Sequence, residues 1–442
     1  MSRVALILVL AVTAILSVVA AVVLRSPPAV TDPRLAPFEV QSVTRVEIER
    51  GGVKAAFVRD ARSAAWTFES TPPVGAPLVW PGDATAITAA LATLASTEHL
   101  GVVEPLSTPP AARVVVTTPK ESITYALGSS ALGGRTTIEV TQSGTTRTFA
   151  AASDVLAALT SSASPLLEAA ALRWPSEPTK LTLAREDRSI TLERSGRGWR
   201  ITAPITAAAD RKTVAELQAA LTNLRMESIS SVASGLQDKP ALTITIESGP
   251  AGATFTQTIA FASSSGSQAT VTHPAGSAKL TLRTPDLEPI FVDLKALLAK
   301  QAVERPAADI TALLLLKPGD ELTEPRAISR DADRWKLAGK PLPEADTATL
   351  TALLETLCTT PAAATLLEIP TDFEPIAKVR LRTLQENQLA DLSIGLSTPQ
   401  AAAAGGVSRK VLTIISSDGT IARLYPVSGE DPMLAFLRAN LP

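Results

Sequence analysis

One pattern is written three times along this chain. VTRVEIERGGVKAAFVRDARSAAWTFES begins at Val43, PTKLTLAREDRSITLERSGRGWRITAP at Pro178, and ITALLLLKPGDELTEPRAISRDADRWKLAG at Ile310. Each copy reads as an alternating strand, a polar turn, a second strand, a short polar break, and a tryptophan followed two residues on by an apolar residue. Those pairs are Trp66 and Phe68, Trp199 and Ile201, and Trp335 and Leu337. The tryptophans stand 133 and 136 residues apart. Self-similarity at a fixed period means one folding unit used repeatedly, so the architecture is set by what one unit can bury.

Each copy continues with a helical pattern. Asp83 precedes Ile87, Leu91 and Leu94; Asp210 precedes Val214, Leu217, Leu221 and Leu224; Asp346 precedes Leu350, Leu353, Leu354 and Leu357. An aspartate there can accept hydrogen bonds from the first free amides of the helix, and leucines at intervals of three and four form one apolar stripe. Three helices with N-caps Asp83, Asp210 and Asp346 are therefore expected. Further strand pairs follow, and a closing amphipathic segment ends each copy: Val155, Leu156 and Leu159; Ile290, Leu294 and Leu297; Leu434, Phe436 and Leu437.

The strands alternate with period two, as Val46 and Ile48 do against Glu47 and Glu49, which an antiparallel sheet with one wet face requires. The expected class is α+β, with three tandem repeats, each an antiparallel sheet under two covering helices. Boundaries near 40, 174 and 308 give repeat units over 40–173, 174–307 and 308–442. Trp66, Trp199 and Trp335 are expected as equivalent plugs between sheet and helix.

Ahead of the repeats, Val4 to Leu24 is a run of 21 residues without a charge. As a helix it would rise about 31 Å, the hydrocarbon thickness of a bilayer. A cleaved signal peptide is the competing reading, since Val18-Val19-Ala20 offers small residues, but signal cores usually span about 7–15 residues. The expectation is a transmembrane anchor over residues 1–25 and a proline-rich tether over 26–39, from Ser26-Pro27-Pro28 to Pro37. That makes a single-pass protein of the bacterial inner membrane with its bulk in the periplasm.

VTRVEIERGG at Val43, a second strand leading to a tryptophan, a short proline-containing stretch and a capped leucine-rich helix resemble the DUF4340 family. The second copy, LTLAREDRSITLERSGRGWRITAPITAAADRKTVAELQAAL, follows that pattern most closely. The third departs from it with an extended break from Glu321 to Asp331. The resemblance implies membrane anchoring and an accessory role beside gliding-motility-type ABC transporter components. It carries no catalytic motif, so no catalytic, cofactor or metal residue comes with it.

Composition narrows the chemistry further. Forty-one basic against 43 acidic residues leave a net charge of −2, without the basic footprint of a nucleic-acid binder. The lone Cys358 and the two histidines, His99 and His273, leave little for zinc or triad chemistry. Cys358 falls beside a helix's apolar stripe, where a buried, inert thiol is expected. Gly128 to Gly134 lacks the lysine of a phosphate loop and reads as a hairpin loop. Glu47 and Glu49 share a strand face, as paired catalytic acids do, yet Arg45 and Arg50 flank them and favour a solvated, charge-mixed surface. The functional expectation is a non-enzymatic, membrane-tethered accessory or scaffold protein, without cofactor, that binds a protein partner such as ABC transporter subunits. A carboxylate-dependent envelope hydrolase and a lipid- or glycan-binding module remain the alternatives.

Overall fold

A computed structural model describes residues 32–442, apart from 72–76, 107, 132–133, 161–163, 197, 233–238, 251–252, 265, 274–275, 284–285, 320–323, 333, 386–388, 399–409, 417–420 and 428–430. The chain divides into two compact units, one of residues 1–169 with 230–234, the other of 170–229 with 235–442.

The first sheet contains β1 (Arg45–Arg50), β2 (Val53–Arg59), β3 (Trp66–Thr71), β4 (Leu78–Gly82), β5 (Gly101–Val102), β6 (Ala112–Thr117), β7 (Ser122–Ala131), β8 (Arg135–Gln142) and β9 (Thr145–Ala152). The second contains β10 (Pro178–Ala184), β11 (Ser189–Ser195), β12 (Gly198–Ala203), β13 (Ala207–Ala208), β14 (Met226–Ser231), β15 (Leu242–Ser248), β16 (Phe255–Phe261), β17 (Gln268–His273) and β18 (Gly276–Leu282). The third contains β19 (Ile310–Leu316), β20 (Arg326–Asp331), β21 (Arg334–Leu337), β22 (Lys340–Pro341), β23 (Ala364–Leu366), β24 (Glu374–Thr383), β25 (Ala390–Ser397), β26 (Val411–Ser416) and β27 (Ala422–Pro426).

One strand order serves all three. The first sheet runs β4-β3-β2-β1-β6-β7-β8-β9-β5, the second β13-β12-β11-β10-β15-β16-β17-β18-β14, and the third β22-β21-β20-β19-β24-β25-β26-β27-β23. Register agrees as well: Val46 opposes Phe57, Leu181 opposes Leu192, and Leu313 opposes Ile328. These positions are buried apolar residues in every sheet. Turn chemistry supports the pairing. Gly51 and Gly52 both have positive φ (56° and 80°) between the paired residues Arg50 and Val53, the twist a two-residue hairpin demands.

The principal helices are α1 (Ala84–Ser96), α3 (Arg211–Asn223) and α5 (Glu344–Cys358); the closing ones are α2 (Ala157–Thr160), α4 (Leu294–Leu297) and α6 (Pro432–Ala439). In the third repeat, Leu350, Leu353, Leu354 and Leu357 of α5 and Leu434, Phe436 and Leu437 of α6 pack on Leu313, Ile328, Val379, Leu381, Leu392 and Ile414 of the sheet. Burial of these leucines, each worth about 1.5–3 kcal/mol when fully removed from water, is what holds the helices to the sheet.

Two expectations need correction. Among the described residues the fold is mostly β rather than α+β, with 47% strand against 19% helix. Each sheet gains short edge strands of two or three residues, such as β5, β13, β22 and β23, too brief to show a period. The closing helices α2 and α4 are single turns of four residues. The second correction concerns the membrane. The expected anchor over Val4–Leu24 lies outside the described residues, and among the described residues no helix is long and apolar enough to cross a bilayer. The expectation of a single-pass inner-membrane protein is not sustained.

Candidate functional site

The residues picked out by the repeat fall into unequal surroundings. Trp66 and Trp335 are buried, 4% and 6% exposed, whereas Trp199 is only half-buried. The expectation of three equivalent indole plugs is corrected accordingly. The cross-strand partner of each tryptophan is an arginine: Arg59 for Trp66, Arg194 for Trp199, Arg330 for Trp335. Arg59 lies 5.9 Å over the Trp66 ring and Arg330 lies 6.0 Å over the Trp335 ring. Arg194 instead pairs with the carboxylate of Glu177. A fourth ring, Trp80 of β4, is buried too, with its indole N–H donating to the Glu168 carbonyl at 3.1 Å. It lies between Trp66 and Asp83, where the other two copies have no tryptophan, so the threefold pattern does not mark it.

The caps also differ. Asp83 accepts from the Thr85 and Ala86 amides, and Asp210 from the Thr213 amide. Asp346 is not a cap. The α5 helix begins two residues earlier, at Glu344 after Pro343, and Asp346 lies inside its first turn. An unheralded cap occurs at Asp293, which accepts from the Ala296 amide ahead of α4.

Residues weighed for chemistry are placed in structural roles. His99 stacks on Phe149 with ring centroids 4.6 Å apart. His273 ends β17, opposite Gly276. Burial, with Asp309 nearby, pushes the Cys358 thiol up to about 11, so it stays protonated and unreactive at neutral pH. Arg45 Nε donates to Glu47 Oε1 at 2.6 Å on an exposed strand face. Among the described residues no three His, Cys, Asp or Glu side chains are grouped to hold a metal ion.

Two polar constellations are not foreshadowed by any motif, and both lie in the second compact unit. The first is a joint over residues 297–304. Leu297 and Leu298 pair with the second sheet through the Asp210 amide (2.8 Å) and the Ala209–Leu298 bridge. The Lys300 carbonyl then accepts from the Ala362 amide at 3.0 Å, ahead of β23 in the third repeat. Arg423 of β27, 3% exposed, donates from Nε to the Ala299 carbonyl at 3.0 Å. Register places Arg423 where the first sheet has Phe149 and the second has Leu280. Glu304 completes the joint. Burial raises its carboxyl above the usual carboxylate range, reinforced by Asp210 and opposed by Arg211 and Arg423.

The second constellation is a cleft of about 200 Å³ on the outer face of the third sheet, lined by Ile369, Phe373, Lys378, Asp391, Ser393 and Ile415 among others. Asp391 is buried and held by both guanidinium arms of Arg380, at 2.8 and 3.1 Å, and that bond raises the Arg380 pKa further. The ring of Phe373 lies over Gly395, so close that a β-carbon there would come within 2.7 Å of Cε2 and 2.2 Å of the Glu374 carbonyl oxygen. The glycine is what lets this loop cover the sheet. The cleft is smaller than the roughly 300–1,000 Å³ of a drug-sized ligand pocket. Its one carboxylate, Asp391, is occupied by Arg380.

Residues 199–376 match the DUF4340 family, described as a domain of unknown function. The match begins at Trp199 in β12 and ends just after β24 opens, so it runs across the 297–304 joint rather than over one repeat. Among curated proteins, none matches the chain.

Proposed function

The chain carries a domain of the DUF4340 family, and from that premise we propose that it is a non-enzymatic scaffold that binds a partner protein along the edge of its first sheet. One observation carries this reading. β5 is the terminal strand of that sheet, and it and its neighbours present Leu100, Val102 and Val103 at 60%, 58% and 39% exposure. Sheet edges are normally protected by charge, proline or brevity, because unpaired amides and carbonyls invite another strand. The corresponding edge strand β14 exposes Glu227, Ser228 and Ser230, and β23 exposes Ala364. Among the described residues of these three edges, only that of the first sheet carries large exposed apolar side chains, and they extend on both sides of the two-residue β5. An extended apolar segment of a partner would satisfy both features at once, adding backbone hydrogen bonds and covering the exposed side chains. Transporter subunits are the partner class that the family resemblance favours.

A photo-crosslinking residue at Val102 of the full chain, expressed in its native cell, tests the proposal. The expected result is a discrete adduct that disappears in the Leu100→Lys, Val103→Lys double variant while the same probe at exposed Lys212 gives none. Equal capture at Val102 and Lys212, or an adduct indifferent to the two lysines, would overturn it.

A further inference from the structure

The threefold register allows each residue of the third sheet to be compared with its counterparts. In the first sheet, one outer-face row runs Glu49, Arg113, Ala126 and Glu139 across β1, β6, β7 and β8. The same row in the second sheet is Ala184, Thr243, Ala260 and Thr270. In the third it is Leu316, Lys378, Ser393 and Ile415. The cation of the first sheet thus faces a carboxylate directly across the strand pair. Lys378 faces a leucine and a serine, and among the described residues it has no ion-pair partner.

The neighbouring row shows the same divergence. Val115 opposite Thr124, and Thr245 opposite Thr258, are replaced by Arg380 opposite Asp391. Because Arg380 occupies both oxygens of Asp391, that pair is neutral as a unit. The charge left over in the cleft is the ammonium of Lys378. Apolar walls stand beside it: Ile415 at 4% exposure on the sheet, and Ile369 and Phe373 on the loop above. Ile369 itself is 45% exposed at the mouth.

We propose that this cleft binds a small organic monocarboxylate, its anionic end on Lys378 and the Ser393 hydroxyl and its apolar body between Ile369, Phe373 and Ile415. The volume of about 200 Å³ suits a body the size of a benzene ring or a short alkyl chain. A lysine at the rim of a partly covered, low-dielectric site attracts an anion more strongly than one in open water. Phosphate and sulfate match the charge but leave the walls wet, while a neutral aryl alcohol wets nothing but leaves the ammonium uncompensated. Ile369 and Phe373 fall inside residues 199–376, whereas Lys378, Ser393 and Ile415 lie beyond them, and the site does not depend on the scaffold reading.

The test is titration of the full chain with benzoate and hexanoate, followed by ¹⁵N-resolved NMR and calorimetry, with benzyl alcohol and inorganic phosphate as controls. Saturable binding near 1 mM is expected, with shifts at Lys378, Ser393 and Ile415 and at least tenfold weaker binding of both controls. Lys378→Gln should reduce carboxylate affinity about tenfold while sparing benzyl alcohol. Ser393→Leu, which fills the cleft and keeps the ammonium, should abolish all binding. Unsaturated shifts up to about 50 mM, equal affinity for the acid and the alcohol, or unaltered affinity in Lys378→Gln with a native NMR spectrum would each overturn the proposal.

Discussion

Arg330 and Trp335 face each other across the β20–β21 hairpin, with the guanidinium carbon 6.0 Å over the indole ring. The ring is buried beneath and capped by a cation above. The same arrangement recurs for Arg59 and Trp66, while Arg194 leaves Trp199 for Glu177. One hairpin therefore exists in two versions within a single chain.

This difference sets the stability order of the three tryptophans. Trp66→Ala and Trp335→Ala are each expected to cost about 3–5 kcal/mol, and Trp199→Ala distinctly less because it is only half-buried. Arg330→Ala should cost about 0.5–1 kcal/mol, the scale of an exposed cation–π contact. Urea denaturation followed by far-ultraviolet circular dichroism measures all four. Equal losses at the three tryptophans would contradict the order.

Helix capping gives a second contrast. Asp83→Ala and Asp210→Ala remove carboxylates that accept from free helix amides and should each cost about 1 kcal/mol. Asp346→Ala removes only a favourable charge in the first turn and should cost about 0.3–0.5 kcal/mol. Thermal unfolding of the three variants under one buffer separates the two cases.

The joint at Glu304 should respond to pH. Its folded carboxyl binds a proton more tightly than the unfolded one, because burial outweighs the attraction of Arg211 and Arg423. Its contribution to stability is therefore full below the ordinary carboxylate pKa and is lost as pH rises through the raised, folded value. Glu304→Gln imitates the protonated form. Measured by urea unfolding from about pH 4 to pH 8, the variant should match the parent in acid and exceed it at neutral pH. A variant weaker than the parent at neutral pH would show that the two arginines dominate.

Gly395 reports on the loop over the third sheet. A methyl group there collides with the Glu374 carbonyl at 2.2 Å and the Phe373 ring at 2.7 Å, and the first of these is backbone that cannot swing aside. Gly395→Ala should cost about 1–3 kcal/mol, the usual range for overpacking. It should also raise the proteolytic susceptibility of residues 367–373. Unchanged susceptibility would mean that the loop is held by something other than its fit to the glycine.

Several of these elements were readable in advance for a local reason. The alternation of Val46 and Ile48 with Glu47 and Glu49, the aspartates before α1 and α3, and the leucine stripe of α5 all act within a few residues of themselves. The α5 start was misread because Pro343 and Glu344 can open a helix without a capping side chain, and aspartate is equally favourable one turn in. Edge strands such as β5 and β22 left no trace, since two residues cannot display a period. The cleft was invisible for a different reason: Lys378, Ser393 and Ile415 are separated by long stretches of chain and meet only across strands.

That one unit is used three times is written in local signals, because period, strand alternation and turn residues survive divergence. The tertiary structure alone decided which copy differs in chemistry. Whether a cation finds an acid opposite it, as Arg113 finds Glu49, or stands apart from one, as Lys378 does, depends on strand register. Register joins residues whose interaction energy falls off within a few ångströms, however far apart they lie along the chain.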